Sequence, residues 1–322
     1  MEKARSKLQP QIHIWHEDLP LPTAAIEAGD RNVQPDPGFD VRYVDANVLE
    51  LSRATSSERG MALMFGGGVS IGYVAMLPFF VEMYRDGNPK EAPIMASFLV
   101  LMLLVLAVLL INMIKKAVRT PLDLPILFDR SNQKIFALEY LVKPNPFAKW
   151  EMVIMELDWP RVEAAIGKFY KYKTVWYGLI LAQCEQGTTK LEGRIILKQD
   201  VSAPMELHHM WAYIRCYMNE GPERLPEVQP IPRDVNFRRC LFGSFPLLDP
   251  TEDGRRLRAR MGRTELIVSV AAASVFALGL FWLFLPVGVF EYIAQRLAPK
   301  PRWPAEVISR IPALRESVAN PA

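Results

Sequence analysis

Arg255, Arg256, Arg258, Arg260 and Arg263 crowd into nine residues directly ahead of a charge-free stretch, the densest set of like charges in the chain. Two kinds of chemistry fit such a run. It can hold the start of a membrane helix at the surface, or it can bind anionic lipid headgroups, gaining on the order of 1 kcal/mol per basic residue near an acidic leaflet. Nucleic acid is a poor partner, because the run is tied to a membrane segment and lacks interleaved aromatic residues. The histidines offer less. His208 and His209 are adjacent, so on a helix they diverge by about 100° and do not readily share one ion. His13 and His16 could share a helix face, but no carboxylate or cysteine at ligand spacing accompanies them. Cys184, Cys216 and Cys240 form no Cys-x-x-Cys pair, which suits a reducing compartment. No Gly-x-Ser-x-Gly nucleophile elbow is expected, there is no glycine loop ending in Lys-Ser or Lys-Thr for phosphate, and there is no His-Glu-x-x-His metal motif. No catalytic residue, metal site or cofactor is therefore expected, and the protein reads as a non-enzyme.

These residues have to be positioned by elements of two kinds. The chain has 322 residues, a mean hydropathy of +0.07 and a formal charge of +3, averages that sit between the soluble and membrane classes. Its charge is very unevenly spread. Met61–Val81, Pro93–Ile114 and Leu266–Phe290 contain no Asp, Glu, Lys or Arg, so all 73 charged side chains (38 Lys and Arg, 35 Asp and Glu) lie elsewhere. About 20 apolar helical residues cross the roughly 30 Å hydrocarbon core, and each window has that length. Three transmembrane helices are expected, a hairpin over 61–114 (spans 61–81 and 93–114) and a later span over 266–290.

Arginine and lysine near the span ends set the expected orientation. A polar N-terminal segment, 1–60, and the middle of the chain, 115–265, fall on the cytoplasmic side, and a tail, 291–322, falls in the periplasm. The spans carry no ionisable residue at mid-depth, which argues against a solute pathway. They do carry small residues at helical spacing. Gly68 and Gly72 in the first span, and Ser269, Ala273 and Ala277 in the third, each line one face and permit close packing against a helix of this chain, of a second copy or of another protein.

Residues 115–222 form the expected cytoplasmic domain, α+β in class. Leu127-Phe128 and Lys134–Tyr140 flank a polar turn, 129–133, and read as a hairpin. Val153–Trp159 and Val162–Ile166 read as strands broken at Pro160, and Val175–Glu185 with Leu191–Lys198 read as a second hairpin. From residue 203 the period changes to three and four, so 203–219 is an amphipathic helix, N-capped by Ser202 and stopped by Gly221-Pro222. Strands closed by one such helix resemble a pleckstrin-homology-like barrel at the level of architecture. Residues 223–265 are a Pro-rich and Arg-rich connector.

Arg59-Gly60 ahead of a two-span hairpin, a β-rich domain, and Trp211-Ala-Tyr-Ile-Arg-Cys-Tyr-Met-Asn-Glu-Gly-Pro-Glu223 at its closing helix together resemble an uncharacterised family of bacterial inner-membrane proteins. The likeness covers roughly residues 40 to 250. It implies a setting beside type VI secretion toxins in proteobacteria, and it carries over no catalytic residue. The expected function is non-enzymatic. The cytoplasmic domain binds a protein partner, a toxin or secretion component, as an immunity or effector-accessory protein in the inner membrane. The alternatives are a lipid-sensing or signalling protein that uses the arginine run on membrane lipids, a homo-oligomer built on the small-residue faces, and a small transporter or enzyme.

Overall fold

The computed structural model describes residues 8–311 apart from 9–11, 13, 24–32, 39, 54–57, 87–91, 142, 144, 146–147, 172–173, 189, 229, 231–234, 260 and 301. In chain order, strands β1 (Trp15–Asp18), β2 (Val41–Val44) and β3 (Val48–Leu51) precede two long helices, α1 (Glu58–Asp86) and α2 (Ala92–Arg119). Six further strands follow: β4 (Ile126–Asp129), β5 (Lys134–Leu141), β6 (Glu151–Asp158), β7 (Val162–Lys171), β8 (Thr174–Cys184) and β9 (Leu191–Val201). Helix α3 (Pro204–Glu220), the short α4 (Phe237–Phe242) and α5 (Glu252–Ala259), the long α6 (Arg263–Leu297) and α7 (Ala305–Arg310) complete the chain.

The strands form two antiparallel sheets, one in the order β2-β3-β4-β5-β6 and the other in the order β1-β7-β8-β9. Both expected hairpins form, with β4 on β5 and β8 on β9. The change of sheet happens at Trp159-Pro160-Arg161. Proline cannot donate to a strand ladder, and here it opens a single 3-10 turn that carries the chain from β6 to β7.

One core lies between the sheets and α3. Leu207, Met210, Trp211, Ile214 and Met218, the expected apolar stripe, are all buried in it with Phe128, Ile135, Trp159, Leu181 and Ile195. The indole rings of Trp159 and Trp211 meet at 5.4 Å. Helix α3 starts differently from the expectation. Its N-cap is Ala203, without a side-chain bond, and Pro204 takes the first turn, where its preset φ suits the helix and its missing N–H costs nothing. It stops as expected at Gly221, whose φ of 99° favours glycine and whose N–H closes on the Cys216 and Tyr217 carbonyls. Burial pushes the Tyr213 phenol up to about 12 and raises that of Tyr217 as well.

Two boundaries drawn from the sequence change. Residues 1–60 are not a separate polar segment, because β2 and β3 extend the first sheet and β1 edges the second. Leu8 and Ile12 also cover the outer face of the second sheet at Ala165, Ile180 and Ala182. The same segment satisfies the polar tips of the core residues: Trp211 Nε1 donates to Pro20 O at 2.8 Å, Asn219 Nδ2 to Pro22 O at 2.7 Å, and the Tyr217 hydroxyl to Asp45 O at 3.0 Å.

The second change is at the other terminus. The tail, expected to stand apart from the domain, packs on it. Trp303, Val307 and Ile311 are buried against Val48, Leu127, Phe136 and Leu138 on the outer face of the first sheet, and Arg310 reaches Glu156 at 3.3 Å.

Helices α1, α2 and α6 are long and apolar enough to cross a membrane. Their outward side chains, among them Ile71, Phe98, Leu104, Leu278 and Trp282, are exposed, as a lipid-facing surface requires.

Candidate functional site

The densest polar construction in the protein is the joint between the helices and the β domain. Arg53, just after β3, is its centre. Its backbone N–H donates to Asp123 Oδ1 at 2.7 Å, Nε to Leu124 O at 2.6 Å, Nη1 to Glu139 Oε1 at 2.7 Å and to Ile196 O at 3.2 Å, and Nη2 to Leu138 O. Asp123 is buried and pairs in addition with Arg42 Nε at 2.7 Å. One guanidinium thus ties β3, the loop after α2, β5 and β9. Arginine suits this role because its planar fork of five donors can serve several acceptors at once. Beside it, Lys198 of β9 pairs with Asp40, whose carboxyl burial raises above its usual range although Lys198 pulls it down.

The helices are fastened at the same level. Arg59 in the first turn of α1 donates to the Thr120 and Pro121 carbonyls at 2.6 and 2.5 Å, just past the end of α2, where a helix dipole favours positive charge. The start of α1 receives the complement. The buried Glu291 carboxylate of α6 accepts from Gly60 N–H at 2.5 Å, which satisfies a donor with no intrahelical partner and places negative charge at a helix N-terminus. Gly60 has to be glycine here, since a Cβ would run into the Val287 carbonyl and lie 2.8 Å from Glu291. Lys115 of α2 donates to Ala148 O at 2.7 Å and lies 4.5 Å over the Trp150 ring, binding the β5–β6 hairpin end to the helix. Chemically this is a rigid joint, with its charges consumed by structure.

The residues singled out by sequence are placed as follows. Gly68 and Gly72 face outward, and a Cβ on either would meet nothing within 4 Å, so their face packs on no helix of this chain among the described residues. Ser269, Ala273 and Ala277 are partly buried on α6, and Ala277 shares a recess with Leu248 of the connector. The close helix contacts use other small residues, Gly60, Gly66 against Met113, and Gly288, where a Cβ would lie 2.7 Å from Leu241 Cα of α4. Spacing shows which glycines share a face but not which face meets a neighbour.

Within the arginine run the side chains diverge. Arg258 Nη1 donates to the Leu247 and Asp249 carbonyls, both at 2.8 Å. Arg255 and Arg256 lie 2.8 and 3.8 Å from Glu252. Arg263 is exposed at the start of α6, and Arg260 lies outside the described residues. His208 and His209 turn to different partners, the Glu17 carboxylate at 3.7 Å and Gln34 O at 2.6 Å, and His13 is outside the described residues. Among the described residues no three His, Cys, Asp or Glu are grouped to hold a metal.

One motif escaped the sequence reading. Gly68-Val69-Ser70-Ile71-Gly72 spells Gly-x-Ser-x-Gly, the pattern of a nucleophile elbow. It lies inside the continuous helix α1, where Ser70 Oγ donates back to Gly66 O at 2.6 Å, and not at the strand-to-helix turn that exposes such a serine. The Arg53 joint was missed too, because its acceptors are mostly carbonyls, which carry no sequence signal.

No curated protein and no solved structure matches the chain. A known family does match, over residues 103–310, which takes in most of α2, β4 to β9, α3, the connector, α6 and α7. The protein belongs to that family, DUF6708, a family of unknown function.

Proposed function

We propose that the protein is a membrane-anchored binding module, non-enzymatic, whose two-sheet domain holds another protein at the cytoplasmic face of a bacterial inner membrane. The observation that carries the reading is the joint. Arg53 ties the strands to the loop after α2, Lys115 of α2 bonds Ala148 O of the domain, and Arg59 and Glu291 fasten the helix ends to one another, while the domain exposes large apolar side chains, Tyr170 at 77% and Met205 at 56%. A rigidly held domain with apolar side chains in solvent is suited to presenting a surface to a protein partner. Two sheets closed by a C-terminal helix also resemble the pleckstrin-homology architecture, a scaffold-level analogy that supports binding in general and no particular ligand.

The finer setting is proposed from the resemblance of residues 40 to 250: type VI secretion, with the protein acting as immunity or effector-accessory factor for a toxin encoded beside it. Deleting the gene and challenging the strain with that toxin tests this. Loss of survival, restored by the intact gene and not by one carrying Tyr170→Asp with Met205→Asp, is the expected result. Unchanged survival of the deletion strain overturns it.

A further inference from the structure

The three spanning helices, taken with the packed tail, leave one crossing unaccounted for. Glu291 bonds to Gly60, so α6 runs antiparallel to α1 and its C-terminal end lies at the domain side, where Arg59 is tied to the chain just beyond α2. Residue 263, at the other end of this 35-residue helix, is then at the far side. The chain enters the connector at the domain side as well, since the ring of Phe237 meets that of Tyr292 at 5.2 Å. Residues 237–262 have to travel the length of the bundle.

Their contacts follow α6 over the first part of that path, residues 237–248. Phe242 meets Phe281 at 6.1 Å, Phe245 meets Phe284, Phe281 and Phe276 at 5.6, 6.3 and 6.4 Å, and Leu248 lies in a recess with Ala277 and Leu278. From Glu291 to Leu278 is about 20 Å of helix, well into a roughly 30 Å hydrocarbon layer. Exposed apolar side chains already flank the bundle nearer the domain. Met113 of α2 packs at Gly66, six residues into the bundle from Gly60, and Leu109 and Ile111 beside it are exposed at 60% and 45%.

We propose that residues 237–262 are a fourth, discontinuous membrane segment, so that the N-terminal strands, the β domain and the C-terminal tail all lie on one side of the membrane. A broken helix is tolerated at membrane depth only where side chains satisfy the backbone groups that the break releases. Arg258 does this for the carbonyls of Leu247 and Asp249, and Asp249 accepts from the N–H and hydroxyl of Thr251, each at 2.8 Å. Charges at such depth have to be paired, and Arg239 lies 2.6 Å from Asp253. Packing replaces helical regularity elsewhere, with α4 pressed onto Gly288. Hydropathy does not find this segment, because it carries six arginines and three acidic residues, and the contacts that settle Arg239, Arg255, Arg256 and Arg258 form only in the folded chain.

Sidedness labelling of the full chain in native membranes tests the proposal. In a Cys184→Ala background, with Cys216 and Cys240 buried, single cysteines are placed at the exposed Thr188 (T188C) and Thr264 (T264C) and appended after Ala322. A membrane-impermeant maleimide is applied to intact and to permeabilised spheroplasts. The expected result is that T188C and the appended cysteine react from the same side and T264C from the other. The proposal is overturned if T188C and the appended cysteine report opposite sides, or if T264C shares the side of T188C. Epitope tags on the two termini of the unsubstituted chain give an independent reading: protease protection on the same side supports an even number of crossings, and on opposite sides overturns it.

Discussion

At the domain end of the bundle a Cβ on Gly60 would lie 2.8 Å from Glu291, with the Val287 carbonyl closer still, whereas a Cβ on Gly68 or Gly72 would meet nothing within 4 Å. The same residue type in the same helix is thus indispensable at one level and unconstrained by this chain two or three turns on. The polar groups divide in the same way. Arg53 at the joint makes its bonds at 11% side-chain exposure, while Arg255 on α5 pairs with Glu252 at 66%. The lesson is that α1 is held at its base while its outer glycine face meets none of the described residues, so base substitutions should report on folding and those on the outer face on the lipid or a partner.

The strongest test of that contrast is Gly60→Leu beside Gly68→Leu. Overpacking usually costs about 1–3 kcal/mol, and here the obstacle is backbone that cannot rotate away, so Gly60→Leu is expected to exceed that range and Gly68→Leu to leave stability within about 0.5 kcal/mol. Thermal unfolding of the detergent-purified chain reads both, and equal losses would erase the distinction.

Next in size is Arg53→Gln, which takes the guanidinium from Glu139 and from the Leu124, Leu138 and Ile196 carbonyls while leaving Asp123 its bonds to the backbone N–H and to Arg42, and is expected to cost about 3–5 kcal/mol. Arg255→Gln should cost less than about 1 kcal/mol, the usual worth of an exposed pair. Denaturant midpoints compared between the two variants sharpen the comparison, and a large loss at Arg255 would place it inside the structural network.

The smallest effect is one of pH. Burial raises the Asp40 carboxyl above 3.8, more than Lys198 lowers it, so the folded state takes up the proton more readily than the unfolded chain does. Its contribution is fully present below pH 3.8 and is lost as pH rises through the raised folded value. Asp40→Asn should therefore flatten the fall in stability that begins near pH 3.8 in the native chain, measured as unfolding midpoints across pH 4 to 7. A steeper fall in the variant would mean that pairing with Lys198 outweighs burial.

Much of the molecule was legible as sequence because the signals were local. Charge-free windows as long as a bilayer needs, the branched and aromatic run of β8, and the three-four spacing of Leu207, Met210, Trp211, Ile214 and Met218 each report the surroundings of a single element. The four-residue strands β1 to β3 were not legible, being too short to show a period amid polar neighbours. Gly221 was readable because a positive φ has a residue signature, and Gly60 was not, because its constraint comes from α6, 231 residues away.

The sequence by itself determined which segments prefer lipid, which prefer a pleated half-buried surface, and where the main helix of the domain begins and ends within a residue or two, since each follows from the free energy of transferring local side chains out of water. Only the tertiary structure decided that β1 to β3 complete the sheets, that the tail returns to the domain, and that the first part of the connector lies along α6. Those outcomes rest on pairs such as Glu291 with Gly60 and Arg239 with Asp253, whose partners are brought together by the fold and carry no mark of each other in the chain.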